Sequence, residues 1–287
     1  MKYAYIEITE RCNFQCPFCP STQITDPRVE MSEELFTNVL QNLQGNVQEI
    51  FFHVLGEPLL HPKFARFLQI AQDFRFPVNL TTNGSLIVQN EQTLLQNSPI
   101  RQINFSTHAY AYLSENYREK ILQQTILFAD KLTHIHPEIY VNFRLWNDQA
   151  DAESNEWNHM VLQKLQSYFG TNLNLSDFSV RHKSTPITGR IYLHRDSRFE
   201  WPDGKAEDSE KGTCHGILDQ CAILSDGRVV PCCLDYKGHI VLGKIPENSF
   251  DDIFQSPKAS QMKNGFIQHK LTEPFCRRCA FAKRFSK

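Results

Sequence analysis

The sequence predicts an α/β fold: a partial barrel of about six strand–helix units, (β/α)6, followed by a small C-terminal unit of β-hairpin plus helix. Three observations predict it. Segments with strand periodicity alternate with segments of helical periodicity through residues 1–183. The alternation stops near Ser184, where a polar stretch runs to 213. From Cys214 onward short strands are separated by turn dipeptides and end in a helical tail. Repeated strand–helix units imply parallel strands with right-handed crossovers, which places ligands at the strands' C-terminal ends.

The elements follow in order. Residues 2–9, KYAYIEIT, alternate and are rich in β-branched and aromatic residues, so they read as the first strand. Ser32 is a good N-cap for a helix over 33–42, with Leu35, Val39 and Leu40 on one face. Residues 48–54 form the second strand, and a helix follows over 62–74 with Pro62 in its first turn. Residues 77–82 are the third strand and 100–106 the fourth, with a helical stretch at 86–96 between them. A long helix over 115–132, a fifth strand at 138–145, a helix at 154–168 and a sixth strand at 177–182 complete the repeat. Residues 184–213 read as a connector that allows a short hairpin. In 214–287, Asp226-Gly227 and Lys237-Gly238 mark turns between strands. The domain division expected is therefore 1–183, 184–213 and 214–287.

Composition narrows the function. The chain has 287 residues, 41% hydrophobic and 22% charged, so a packed core is expected and global disorder is not. A net charge of −2, from 30 Lys+Arg and 32 Asp+Glu, argues against bulk attraction to nucleic acid or to an anionic membrane. No apolar run approaches a membrane span, and residues 1–10 lack a signal-peptide core. A soluble, cytoplasmic protein is expected, with no nucleic-acid or membrane partner and an oligomeric state left open. Nine cysteines in such a chain point to metal or redox chemistry before structural disulfides.

Cys12, Cys16 and Cys19 fall within eight residues on the loop after the first strand. Soft thiolates select zinc, copper(I) or iron–sulfur clusters. A closed zinc site needs four ligands, and this loop offers three. The Cys-x3-Cys-x-aromatic-Cys arrangement resembles the radical S-adenosylmethionine (SAM) superfamily. The resemblance implies a TIM-like partial barrel and a [4Fe–4S] cluster held by Cys12, Cys16 and Cys19, with one iron left to chelate the amino and carboxyl groups of SAM. It implies reductive cleavage of SAM to a 5′-deoxyadenosyl radical that abstracts hydrogen from an unactivated C–H bond. It also implies an electron donor of flavodoxin or ferredoxin type.

Further segments occur in the family's order, each at a predicted strand end. Leu55-Gly56-Glu57-Pro58 is similar to the family's Gly-Gly-Glu-like motif, with Leu55 in place of the first glycine. Gly56 and Glu57 are then expected at the SAM amino group. Thr81-Thr82-Asn83-Gly84 resembles the Thr-Asn-Gly segment beside the ribose, which implicates Thr82 and Asn83. Ser106 and Arg118 stand at the offset of a serine and an arginine near the SAM carboxylate, and a guanidinium grips a carboxylate with two parallel bonds. His53, His108, Arg144, Trp146, Arg181 and His182 are candidates for the cavity, with packing an equal alternative for each.

Cys214, Cys221, Cys232, Cys233, Cys276 and Cys279 form a second group. Their spacing resembles the SPASM/Twitch extensions of radical SAM enzymes, in the Twitch version with one auxiliary [4Fe–4S] cluster. The expected ligands are Cys214, Cys232, Cys276 and Cys279. Cys221 lies mid-strand and Cys233 points opposite Cys232 if the strand alternates, although either could replace a chosen ligand. A four-cysteine zinc site is the alternative for this group. The auxiliary cluster is expected to accept or relay electrons. Cys12 comes too early in the chain for a preceding peptide-recognition domain, which favours a small-molecule substrate, or a peptide delivered by another protein. A peptide-modifying maturase is the alternative within the class, and a non-catalytic zinc or electron-transfer module the alternative outside it.

Overall fold

The computed structural model describes residues 1–24, 29–96, 99–148, 151–173, 183–198, 200–202 and 207–285. In chain order the elements are β1 (Tyr3–Ile6), α1 (Glu33–Leu43), β2 (Glu49–Phe52), α2 (Phe64–Asp73), β3 (Val78–Thr82), α3 (Glu91–Leu95), β4 (Ile100–Phe105), α4 (Glu115–Ile135), β5 (Tyr140–Asp148), α5 (Ala152–Phe169), β6 (Ser184–Thr188) and β7 (Ile191–Ser197). Then come β8 (Gln220–Ile223), β9 (Arg228–Val230), β10 (Gly243–Lys244), α6 (Phe250–Gln255), α7 (Pro257–Ile267), α8 (Pro274–Arg277) and α9 (Ala280–Lys283). This is the mixed α/β fold with a parallel sheet core that the alternating periodicities predict. No helix among the described residues is long and apolar enough to cross a membrane.

The chain divides into two compact units, Met1–Val78 with Phe199–Lys287, and Asn79–Arg198. In the first, β1 runs parallel to β2 in the register Tyr3↔Glu49 to Ile6↔Phe52. On its other side β1 runs parallel to β8, Tyr3↔Gln220 to Ile6↔Ile223. The 214–287 segment therefore sends a strand alongside the strand that leads into Cys12. A β8–β9 hairpin turns at Asp226-Gly227, and β10 adds antiparallel to β9. Gly227 sits at φ +88°, where a side chain would meet the Ile245 carbonyl, so the turn requires glycine. Helix α1 starts on Ser32, whose side chain accepts from the Leu35 N–H at 3.1 Å. It buries Phe36, Val39, Leu40 and Leu43. Leu35, expected on that face, is half-buried and lies against the Gly227 turn.

In the second unit, β4, β5 and β7 are parallel neighbours. β6 pairs antiparallel with β7 as the edge strand. The sixth strand expected at 177–182 lies outside the described residues. The place beside β5 belongs to β7, within the segment read as a connector. Ile187, Ile191 and Leu193 supply its buried positions, and Pro186 stands on the edge strand, where no ladder donor is lost. Helix α5 begins two residues earlier than its pattern suggests, because Asp151 caps it by accepting from the Ser154 N–H at 2.7 Å, and Gly170 ends it in the left-handed region.

Candidate functional site

The first thiol loop leaves the C-terminal end of β1. Cys12 is exposed, Cys16 and Cys19 are half-buried, and none of the three is in a disulfide. Phe14 is buried and anchors the loop from inside, with its N–H 3.4 Å from Cys12 Sγ. A turn from the Cys19 N–H to the Cys16 carbonyl, 3.0 Å, brings those residues to the same side. Burial, then the neighbouring Cys19 and Cys12, push the Cys16 thiol up to about 12. Cys19 and Cys12 are thus close enough to Cys16 to oppose its ionisation, and a bound cationic centre would remove that opposition.

The loop is braced from the end of β2. The Glu57 N–H donates to the Arg11 carbonyl at 2.7 Å. Gly56 sits at φ +70°, and a Cβ there would run into the Thr9 carbonyl oxygen. Only glycine permits this approach. Glu57 is buried and accepts from the Leu59 N–H at 3.0 Å, so part of its carboxylate caps the following turn. His53 is half-buried beside Tyr5, with ring centroids 5.5 Å apart.

The second thiol group gathers in the same unit. Gly216 lies between Cys214 and Cys232: a methyl on it would sit 3.7 Å from Cys214 Sγ and 3.4 Å from Cys232 Cβ. Cys279 follows Cys276 through a turn, N–H to carbonyl at 3.1 Å. Burial raises the Cys232 thiol far above the ordinary range, with Cys233, Cys214 and Cys276 adding to it. Burial also raises Cys276, with contributions from Cys214 and Cys279. It raises Cys214 and Cys279 as well, Cys279 against the pull of the Ala282 and Phe281 N–H groups. The structure therefore brings Cys214, Cys232, Cys276 and Cys279 together. Cys221 is fully buried on β8, and burial is what pushes its thiol up to about 12. Cys233 packs against the apolar cluster of Val54, Ala222, Leu224 and Val230.

Among the described residues no three Cys, His, Asp or Glu side chains converge on a point as one metal ion requires. Zinc draws its thiolates to about 2.3 Å from a single centre. An iron–sulfur cube presents separate irons at its corners, so its ligands gather without converging. Three thiols in the first loop and four in the second group are a soft donor set that suits an iron–sulfur cube.

The second unit carries the remaining expected residues. Thr82 and Asn83 are buried at the end of β3, where Thr82 Oγ1 accepts from the Gly84 N–H at 2.9 Å and Asn83 Oδ1 from the Ser85 N–H at 2.9 Å. Ser106, half-buried at the end of β4, donates its N–H to the Thr82 carbonyl at 2.9 Å. Arg118 lies on α4 with its guanidinium 5.2 Å from the Trp157 ring centre, and its buried Nε bonds to no described residue. Thr82, Asn83 and Ser106 thus meet at adjoining strand ends. His108, just past the end of β4, meets Arg144 and Trp146 on β5. Arg181 and His182 lie outside the described residues.

Three acids, Glu7 and Asp235 buried and Glu10 half-buried, are not singled out by the sequence. Glu7 accepts from the Leu55 N–H at 3.2 Å and the Ser225 N–H at 3.4 Å, tying the Gly56 segment and the β8 end to β1. Burial, then nearby Glu10, raise it to about 8. Glu10 accepts from Ser225 Oγ at 2.9 Å. Asp235 accepts from the His239 and Ile240 N–H groups, both at 2.7 Å, and shapes the loop that follows Cys232. A carboxylate in a buried strand position is the signal for Glu7. Asp235 stands three residues before a glycine, an ordinary turn pattern with no mark of function.

Comparison with known proteins places these features. Residues 6–127 match the family described as the radical SAM superfamily, and residues 214–280 match SPASM, an iron–sulfur cluster-binding domain. The chain is 31% identical, over 98% of its own length and 87% of the relative's, to the tungsten-containing aldehyde ferredoxin oxidoreductase cofactor-modifying protein of Pyrococcus furiosus. It is 31% identical to the GTP 3′,8-cyclase of Campylobacter lari over 50% of this chain and 44% of that protein. Its fold is similar to that of Streptococcus suis SuiB bound to S-adenosylmethionine, with a TM-score of 0.60 and 14% identity over 98% of this chain and 71% of SuiB. On the full-length relative and the two family matches, the chain belongs to the radical SAM superfamily.

Proposed function

We propose that this protein cleaves SAM reductively at a [4Fe–4S] cluster held by Cys12, Cys16 and Cys19, and abstracts hydrogen from an unactivated C–H bond of a small molecule. The family's cofactors are a [4Fe–4S] cluster and SAM, and the SPASM region adds iron–sulfur binding. Together they supply a 5′-deoxyadenosyl radical for the hydrogen abstraction. The chain's own residues bind and orient. Gly56 lets the backbone approach the cluster loop, and Glu57 is the anion for the SAM amino group. Thr82, Asn83 and Ser106 are proposed to hold the ribose side, and Arg118 the carboxylate. Cys214, Cys232, Cys276 and Cys279 are proposed to hold one auxiliary [4Fe–4S] cluster that accepts or relays electrons, with a flavodoxin- or ferredoxin-like protein as donor.

The observation that carries the reading is the braced loop after β1 that sets Cys12 and Cys19 beside Cys16. The full-length relative is described as cofactor-modifying, which supports a small molecule over a peptide. Anaerobic reconstitution tests the reading. About eight irons per chain, two cubes, and release of 5′-deoxyadenosine on adding SAM and dithionite are expected. A colourless, zinc-loaded protein that leaves SAM intact would refute it.

A further inference from the structure

Strand β5 separates its chemistry by face. Val141, Phe143, Leu145 and Asn147 are buried, while Tyr140, Asn142, Arg144 and Trp146 are half-buried on the alternate positions. Strand β7 extends the half-open face, because His194 is the register partner of Arg144. The Arg144 guanidinium lies 4.4 Å from the Trp146 ring centre, a cation–π contact that orients its plane. Trp146 Nε1–H donates to His194 Nδ1 at 2.8 Å. In a neutral ring an accepting Nδ1 puts the proton on Nε2, so His194 carries a donor on its far nitrogen.

The support beneath Arg144 is firm. Its carbonyl accepts from Thr107 Oγ1 at 2.7 Å and from His108 Nδ1 at 3.1 Å. The His108 ring lies within 13° of parallel to that of Trp146. Desolvation holds both imidazoles down to about 4, so both are uncharged at neutral pH. The nearby acids are engaged: Asp196 with Lys183 at 2.7 Å, and Asp151 with Arg198 at 3.1 Å.

The geometry points to an anion-binding site for the substrate, in which the stacked guanidinium of Arg144 and the Nε2–H of His194 take the oxygens of one carboxylate or phosphate group. A guanidinium is the planar donor suited to two oxygens at once. The neutral second donor leaves the pair with a single positive charge, which matches one anionic group. This inference rests on the function proposed above and narrows its substrates to molecules that carry a carboxylate or a phosphate.

The test uses the iron-loaded enzyme with SAM present. Sodium acetate and sodium phosphate are titrated at an ionic strength held constant with sodium chloride. The emission of Trp146 is taken as the difference between wild type and Trp146→Phe. At least one anion should give a saturable change, and its identity distinguishes a carboxylate from a phosphate ligand. Arg144→Gln should raise the half-saturating concentration at least tenfold, with Arg144→Lys and His194→Phe raising it less. If Arg144→Gln fails to fold, judged by circular dichroism, the other two variants carry the comparison. A change reproduced by chloride alone, or variants that titrate like wild type, would overturn the site. Wild-type release of 5′-deoxyadenosine tests the proposed function separately, so an enzyme that cleaves SAM but shows no anion response overturns this inference alone.

Discussion

Single residues decide whether the cluster loop holds its shape. Gly56→Ala forces a side chain into the left-handed region and against the Thr9 carbonyl. The strain alone costs about 1–3 kcal/mol, and the segment must shift to relieve the contact. A lowered melting temperature and loss of the broad visible absorbance of the first cluster are expected, and a wild-type spectrum and melting point would count against the bracing role. The six C-terminal thiols divide in the same way. Cys232→Ala should lower the iron content by about four per chain, one cube. Cys221→Ala should leave it unchanged at a packing cost, because Cys221 is buried and receives nothing from the other thiols. Iron analysis of the two variants side by side separates ligand from core residue. From the sequence, Cys221 and Cys233 were open substitutes for a ligand, because spacing does not show which way a thiol faces. Cys221 reads as mid-strand from the sequence, but its full burial and the apolar contacts of Cys233 exist only once β8 is placed beside β1.

Elements differ in how far their patterns reveal them. Helix α1 is legible from Ser32 and the spacing of its apolar residues, yet Phe36 and not Leu35 completes the buried face. The offset is one position, about a quarter of a helical turn. β7 is hidden by its polar run, since His194, Arg195 and Asp196 are all only half-buried. The junction between β1, the Leu55 segment and β8 is the least legible, because it joins residues 7, 55 and 225 through one buried acid. That junction yields a pH prediction. Glu7 titrates near 8 in the folded protein and near 4.5 when unfolded, so the folded state holds a proton that the unfolded state releases between those values. Stability should fall as pH rises through that interval and level off above about 8, with a slope of at most about 1.4 kcal/mol per pH unit from this group. Glu7→Gln cannot titrate and should lose this component. Urea unfolding of both proteins at pH 5 and pH 8 measures it, and equal pH dependence in the two would exclude the assignment. The loop after Cys232 makes a second element-level case. Asp235→Ala removes the acceptor of two N–H groups, of which that of Ile240 is buried, at about 1–3 kcal/mol for the buried one, so the auxiliary cluster should be lost more readily in this variant than in Asp235→Asn, as followed by iron release to a chelator.

At the scale of the whole molecule, the class of fold and the two thiol groups are readable from the chain. Alternating periods predict the parallel sheet, and nine cysteines in two groups predict metal or redox chemistry. What the linear pattern does not carry is proximity between distant segments. Parallel pairing of residues 3–6 with 220–223 brings both thiol groups into one compact unit, although about two hundred residues separate them in sequence. The polar face of β5 and β7 is equally non-local, since Arg144 and His194 become neighbours only through strand register. The central claim concerns Cys12, Cys16 and Cys19. The most direct measurement is iron content and 5′-deoxyadenosine release, under dithionite and SAM, for wild type and for the variant carrying Cys12→Ala, Cys16→Ala and Cys19→Ala. The account predicts about eight irons and steady release for wild type, against about four irons and no release for the variant. Release at the wild-type rate from the variant would contradict it.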